Sequence, residues 1–155
     1  MFRHMPVFGL IAALLPIPAM AQDEADVQGF YSSEAAGDFQ TLTARLTRLE
    51  GGDYDVDLQT MVSSEDMGDG NIRGGCGGGV TGRITLADGK ATLTETNEFF
   101  NESLPEDASN ARACEVSMRF IDGTTLETEE LSGCFTFHGA QCNFTGTLTL
   151  STPGS

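Results

Sequence analysis

Positive charge is scarce in this chain. Eight Lys and Arg residues stand against 23 Asp and Glu, a formal net charge of −15. Nucleic acids and anionic membrane surfaces are held by basic patches, so the imbalance excludes both as partners. Long apolar runs are also lacking: after residue 21 none approaches the roughly 20 residues a membrane helix needs. Histidine is nearly absent. Beyond His4 only His138 remains, so Ser/His or Cys/His catalysis would have to run through one imidazole. The patterns G-K-[ST], H-E-x-x-H and G-x-S-x-G do not occur, nor does any repeat of 20–50 residues. These absences point to a protein that is not an enzyme, with no catalytic residue, cofactor or metal site assigned.

What the chain does have begins at its start. Arg3 and His4 precede an apolar run from Met5 to Met20, and Ala19-Met20-Ala21 is followed at once by Gln22-Asp23-Glu24. A charged start, an apolar middle and an A-x-A site make a secretory signal peptide over residues 1–21. The expectation is therefore a single domain over residues 22–155, periplasmic or secreted. The leader holds Arg3 and no acid, so its loss makes the net charge one unit more negative. No cysteine precedes Cys76, which leaves no thiol at the new terminus for lipid attachment and predicts no membrane anchor after cleavage.

The four cysteines, Cys76, Cys114, Cys134 and Cys142, predict two disulfides in an oxidising compartment. Three pairings are open. Cys76–Cys114 with Cys134–Cys142 is favoured, because the second pair flanks a short turn. Chain entropy assigns roughly 4 kcal/mol to the first loop and roughly 2.5 to the second.

Period-2 alternation dominates the rest. Tyr54, Val56, Leu58, Thr60 and Val62 share one face, with Asp53, Asp55, Asp57 and Gln59 opposite. Leu42, Ala44 and Leu46 alternate with threonines before the turn Glu50–Asp53. A helix over 39–49 is the rival there, and the threonines favour strand. Val27–Ser32, Val80–Leu86, Cys114–Phe120, Thr124–Glu130 and Cys142–Leu150 read as further strands. Asp88-Gly89 and Asp122-Gly123 are tight turns, and Phe135 and Phe137 lead into a turn at His138–Gln141. Residues 63–79 read as a long loop, and Ser103 with Glu106 predicts a short helix over about 104–111. Eight or nine strands joined by hairpins imply an all-β antiparallel meander, closed or partly open as a small barrel, with a sandwich as runner-up.

Several residues invite chemistry. Cys134, His138 and Cys142 form C-x3-H-x3-C, a metal pattern that disulfides would pre-empt. Asp53, Asp55 and Asp57 resemble a calcium loop, but Leu58 and Ser64 stand where glycine and glutamate belong. Glu65, Asp66, Asp69 and Asn71 are a weak Ca²⁺ candidate. Glu127 and Glu129 are a paired-carboxylate candidate for hydrolysis. Gly77 to Gly82 matches G-x-G-x-x-G, but it precedes a strand. Phe99-Phe100 is an apolar pair in a polar segment, a cap for the barrel end or a gate over an interior ligand site.

The segment Cys134 to Leu148, with His138-Gly139 inside C-x7-C and then Phe144-Thr145-Gly146, looks like the closing hairpin of small periplasmic β-barrel proteins of Gram-negative bacteria. It is also loosely similar to bacterial lysozyme inhibitors, one family of which inserts a disulfide-bounded loop with a central histidine into the lysozyme cleft. The resemblance implies a Cys134–Cys142 binding loop with His138 as the plug, flanked by Phe137, Gly139 and Gln141. It implies a cationic partner such as a lysozyme, which the acidic charge would attract. The alternatives are a small apolar-ligand carrier and, more weakly, a Ca-binding or hydrolytic protein.

Overall fold

Every second residue from Tyr54 to Val62 is buried, as the alternation requires of a strand with one face on a core. The computed structural model describes residues 26–33, 40–66, 68 and 72–151. The expected signal peptide, together with Asp69 and Asn71, lies outside the described residues. In chain order the elements are β1 (Gly29–Ser32), β2 (Gln40–Arg48), β3 (Tyr54–Val62), β4 (Glu65–Asp66), β5 (Ile72–Arg73), β6 (Cys76–Ile84), β7 (Lys90–Thr96), β8 (Ala113–Phe120), β9 (Thr125–Ser132), α1 (Phe135–His138) and β10 (Gly146–Leu150).

Eight strands form one antiparallel sheet in the order β6-β3-β2-β1-β10-β9-β8-β7, and β4 and β5 form a separate two-stranded ribbon. The sheet is a nearly closed barrel. Its first and last strands pair with each other, Tyr31 opposite Leu150. The seam falls instead between β6 and β7, which are consecutive in sequence. Beyond the bridge Ala87–Lys90, the Glu95 carboxylate accepts the Thr81 amide at 2.5 Å across it. Gly82 lets the two edges close: a Cβ there would lie 3.0 Å from Leu93 Cδ1.

The interior is filled by side chains. Tyr31, Leu46, Leu58, Leu93, Met118, Leu126, Phe144 and Leu148 are all buried. Tyr31 meets Phe120 edge to face at 5.9 Å, and its hydroxyl donates to the Val27 carbonyl at 3.0 Å. Burial pushes the Tyr31 hydroxyl up to about 12.

Four expectations need correction. The disulfides are Cys76–Cys142 and Cys114–Cys134, not Cys76–Cys114 and Cys134–Cys142. Residues 135–138, expected to lead into a turn at His138–Gln141, form a helical turn themselves, and the last strand, expected from Cys142, begins only at Gly146. Cys76 to Gly79 belong to β6 rather than to a loop, and residues 65–66 and 72–73 pair as a ribbon. No helix forms over 104–111. The Asn110 side-chain amide donates to the carbonyls of Leu104 and Pro105, acceptors a helix would need for its own amides. Both disulfides are compatible with an exported protein. Among the described residues no helix is long and apolar enough to cross a membrane.

Candidate functional site at the loop end of the barrel

Antiparallel strands alternate in direction, so successive connections alternate between the two ends of the barrel. At one end they are short: residues 49–53, 85–89 and 121–124. At the other they are long: residues 63–75, 97–112 and 133–145. All four cysteines lie at this loop end, as do His138, Phe99 and Phe100.

Residues 133–145 cap the end. Each half-cystine ties the cap to a different strand, Cys134 to Cys114 on β8 and Cys142 to Cys76 on β6. No disulfide closes a Cys134–Cys142 loop on itself. Helix α1 lies directly on the β6 backbone: a Cβ at Gly78 would sit 1.8 Å from the Phe137 carbonyl oxygen and 2.6 Å from His138 Cα. Within the glycine run, Gly78 is therefore the position where close backbone approach needs a residue without a Cβ. With every cysteine in a disulfide, the C-x3-H-x3-C metal pattern has no thiolate to offer.

His138 is not an exposed plug. Its side chain is 5% exposed. Nε2 lies 3.0 Å from Glu130 Oε2, Nδ1 lies 2.5 Å from the Gly139 carbonyl, and the ring meets Phe144 edge to face at 5.1 Å. Both nitrogens thus have an oxygen within hydrogen-bond reach. The same Glu130 oxygen accepts the Phe144 amide at 3.1 Å. Glu130 and His138 thus pin the cap to β9. Of the other expected contact residues, Gln141 is exposed, Gly139 is half-buried and Phe137 packs against the core. Phe135, at 43% exposure, is the cap's exposed aromatic.

Residues 97–112 are irregular but densely bonded. The Asn97 amide donates to the Arg112 carbonyl at 2.8 Å, prolonging the β7–β8 hairpin, and the Asn97 side chain donates to Ala111 and accepts from the Phe99 amide. Asn110 accepts the Asn101 amide at 2.8 Å and returns a bond to the Asn101 carbonyl at 3.0 Å. Asp107 accepts from the Ser109 hydroxyl and amide, bonds that hold its carboxyl below the usual carboxylate range. Arg112 pairs with Glu102 and Glu106 and lies over the Phe100 ring at 4.3 Å. Asn97 and Asn110 are buried.

The two phenylalanines do not act alike. Phe100 is half-buried under Arg112, whereas Phe99 is 89% exposed and covers nothing. Neither the barrel cap nor the ligand gate expected of the pair fits Phe99, and the interior that such a gate would serve is filled. Glu127 and Glu129 lie on β9 outside these loops. They line an open hollow of about 1000 Å³ on the outer face of β7 to β10, where Glu127 pairs with Arg119. Asp55 and Asp57 lie on the exposed face of β3, Asp55 opposite Arg83. Among the described residues no three His, Cys, Asp or Glu side chains gather to hold a metal.

Sequence reasoning missed Glu130, Asn97, Asn110 and Arg112. The asparagines carried a usable signal, since Asn is favoured where a side chain must replace turn hydrogen bonds. Glu130 carried none, being one carboxylate among many. No protein-family model, curated protein or solved structure matches this chain.

Proposed function

We propose that this protein is an exported, periplasmic or secreted binding protein that inhibits a cationic partner of the lysozyme kind through the loop end of its barrel. The observation that carries the reading is the gathering of every long described connection and both disulfides at one end. The described connections at the opposite end are tight turns. Loops held this firmly lose little entropy on binding, the arrangement expected of a surface built to dock rather than to reshape. The charge supplies the partner class: an acidic protein steers and holds a basic one. The His138 plug has no place in this reading, because that ring is inside the cap. The contact surface is instead made of what the loops expose.

The test is residual lytic activity of c-, g- and i-type lysozymes titrated with the protein at low and at physiological salt. Saturation near one to one that survives physiological salt is the expected result. Inhibition confined to low salt would mean bulk charge attraction, which the roughly 8 Å Debye length at 0.15 M screens. Either that outcome or no inhibition of any class would overturn the reading.

A further inference from the structure

We infer that Phe99 is the anchor of the binding surface, a single aromatic side chain offered by a pre-formed acidic loop to an apolar recess with a basic rim. The inference rests on the binding reading above and names the residue and the partner chemistry it needs.

Phe99 is 89% exposed, more than any other large apolar side chain described. An aromatic ring in water gains by finding apolar cover, and large aromatics supply much of the affinity at protein interfaces. Exposure alone is common, and the frame behind this side chain is what distinguishes it. The Phe99 amide is held by Asn97 Oδ1 at 3.0 Å, and the Phe100 amide by the Asn97 carbonyl at 3.2 Å. Phe100 is clamped beneath Arg112, so the backbone on both sides of Phe99 is fixed while its ring is free. Asn110 ties the loop's end back to its first half through Asn101. A loop selected only for connection has no need of two buried asparagines; a loop that must display one ring in one place does.

The surroundings define the complement. Glu98, Glu102, Glu106 and Asp107 lie in the same loop, and Arg112 is its only cation. Arg112 is already engaged by Glu102 and Glu106. Leu104, 56% exposed, adds a second apolar contact. A recess that accepts a phenyl ring and is bordered by Lys or Arg satisfies both features, as a cleft in a basic enzyme would. A lipid surface fits poorly, since the carboxylates around the ring would be repelled by anionic headgroups.

The experiment compares wild type, Phe99→Ser and Ile121→Ser against c-, g- and i-type lysozymes by isothermal titration at physiological salt. Ile121 is 53% exposed in a turn at the other end and serves as the control. Phe99→Ser should weaken binding by about 30-fold, a typical hot-spot loss, with thermal midpoint and circular dichroism unchanged. Ile121→Ser should bind as wild type does. Equal affinity of Phe99→Ser and wild type would overturn the anchor and leave the inhibitor reading standing. A wild type that binds no lysozyme would overturn both, partner class and anchor together. Equal weakening by both variants would also overturn the anchor, because the effect would then not belong to the loop end.

Discussion

Removing the Cys76–Cys142 bridge should destabilise the protein by about 4 kcal/mol. The bridge spans 66 residues, and the chain-entropy relation for a loop of that length gives about 4.3 kcal/mol at 25 °C. The Cys114–Cys134 bridge spans 20 residues, for which the same relation gives about 3.3. The paired variant Cys76→Ser with Cys142→Ala isolates the longer loop, with alanine chosen because Cys142 is buried and a serine hydroxyl there would lack a partner. Equilibrium urea unfolding is the assay. With a slope of about 2 kcal/mol/M, the midpoint should fall by about 2 M. The slope itself should rise, since an unfolded chain without the cross-link exposes more surface. Peptide mapping under non-reducing conditions comes first. A peptide joining Cys134 to Cys142 would refute the pairing outright. The correct pairing with a loss below about 1 kcal/mol would refute the entropic reasoning, and would mean that the unfolded chain is already as confined as the bridge makes it.

His138→Ala should cost about 2–3 kcal/mol in thermal or urea unfolding, because it strips Glu130 of a buried partner and leaves a gap against Phe144; unchanged stability would mean that the ring does not pin the cap. Alkaline titration followed by tyrosinate absorbance should show both tyrosines, Tyr31 and Tyr54, ionising above their ordinary value of 10, with Tyr31 at about 12. Both owe the shift first to burial, which disfavours the charged form. A raised folded value means stability is whole below pH 10 and is lost as pH climbs from 10 toward 12, so the unfolding midpoint should drop across that window. Both tyrosines titrating at 10 in folded protein would contradict the burial of Tyr31.

The strands were legible because one-sided burial imposes a period of two on every side chain. Tyr54 to Val62 and Cys114 to Phe120 show it, and Asp88-Gly89 and Asp122-Gly123 mark the β6–β7 and β8–β9 turns. Asp88 even adopts the positive φ of 53° that such a turn asks for. The seam was not legible. Whether a meander closes by pairing Tyr31 with Leu150 or leaves that edge open depends on the summed twist of eight strands, which no local pattern records. The cysteine pairing failed for the same reason. Sequence proximity favoured Cys134–Cys142, but the cap must reach both β6 and β8, and closure brings those strands within bridging range. The connections do carry one signal of the arrangement. In an antiparallel meander they alternate ends, and here they also alternate short and long. Counted from β2, that alternation places Cys76, Cys114, Cys134 and Cys142 at one end of the barrel. The burial of His138 had no such signal, because a histidine between two cysteines reads the same whether it points outward or toward Glu130.

The two ends of the barrel make opposite demands, and the disulfides lie where the demands conflict. At the turn end, connections of four or five residues have little freedom and need no staple. At the loop end, segment 97–112 has no buried apolar side chain of its own, whereas 133–145 seats Phe144 in the core. Cross-links from β6 and β8 into the cap add to the order that Phe144 supplies. That leaves the exposed residues free of any packing duty: Phe135 and Gln141 on the cap, Phe99 and Leu104 on the neighbouring loop. Gly133 shows how closely the two segments adjoin, since a Cβ there would lie 1.9 Å from the Ala113 carbonyl oxygen and 2.9 Å from Ala111 Cβ. On the proposed reading, a partner touching one segment is therefore beside the other, and each segment carries one exposed aromatic, Phe99 and Phe135. In the proposed function these loops would discriminate by shape, because their hydrogen bonds and disulfides brace them, while the surrounding carboxylates would select by charge. The proposed inhibitor needs both filters, since charge alone would bind any basic surface.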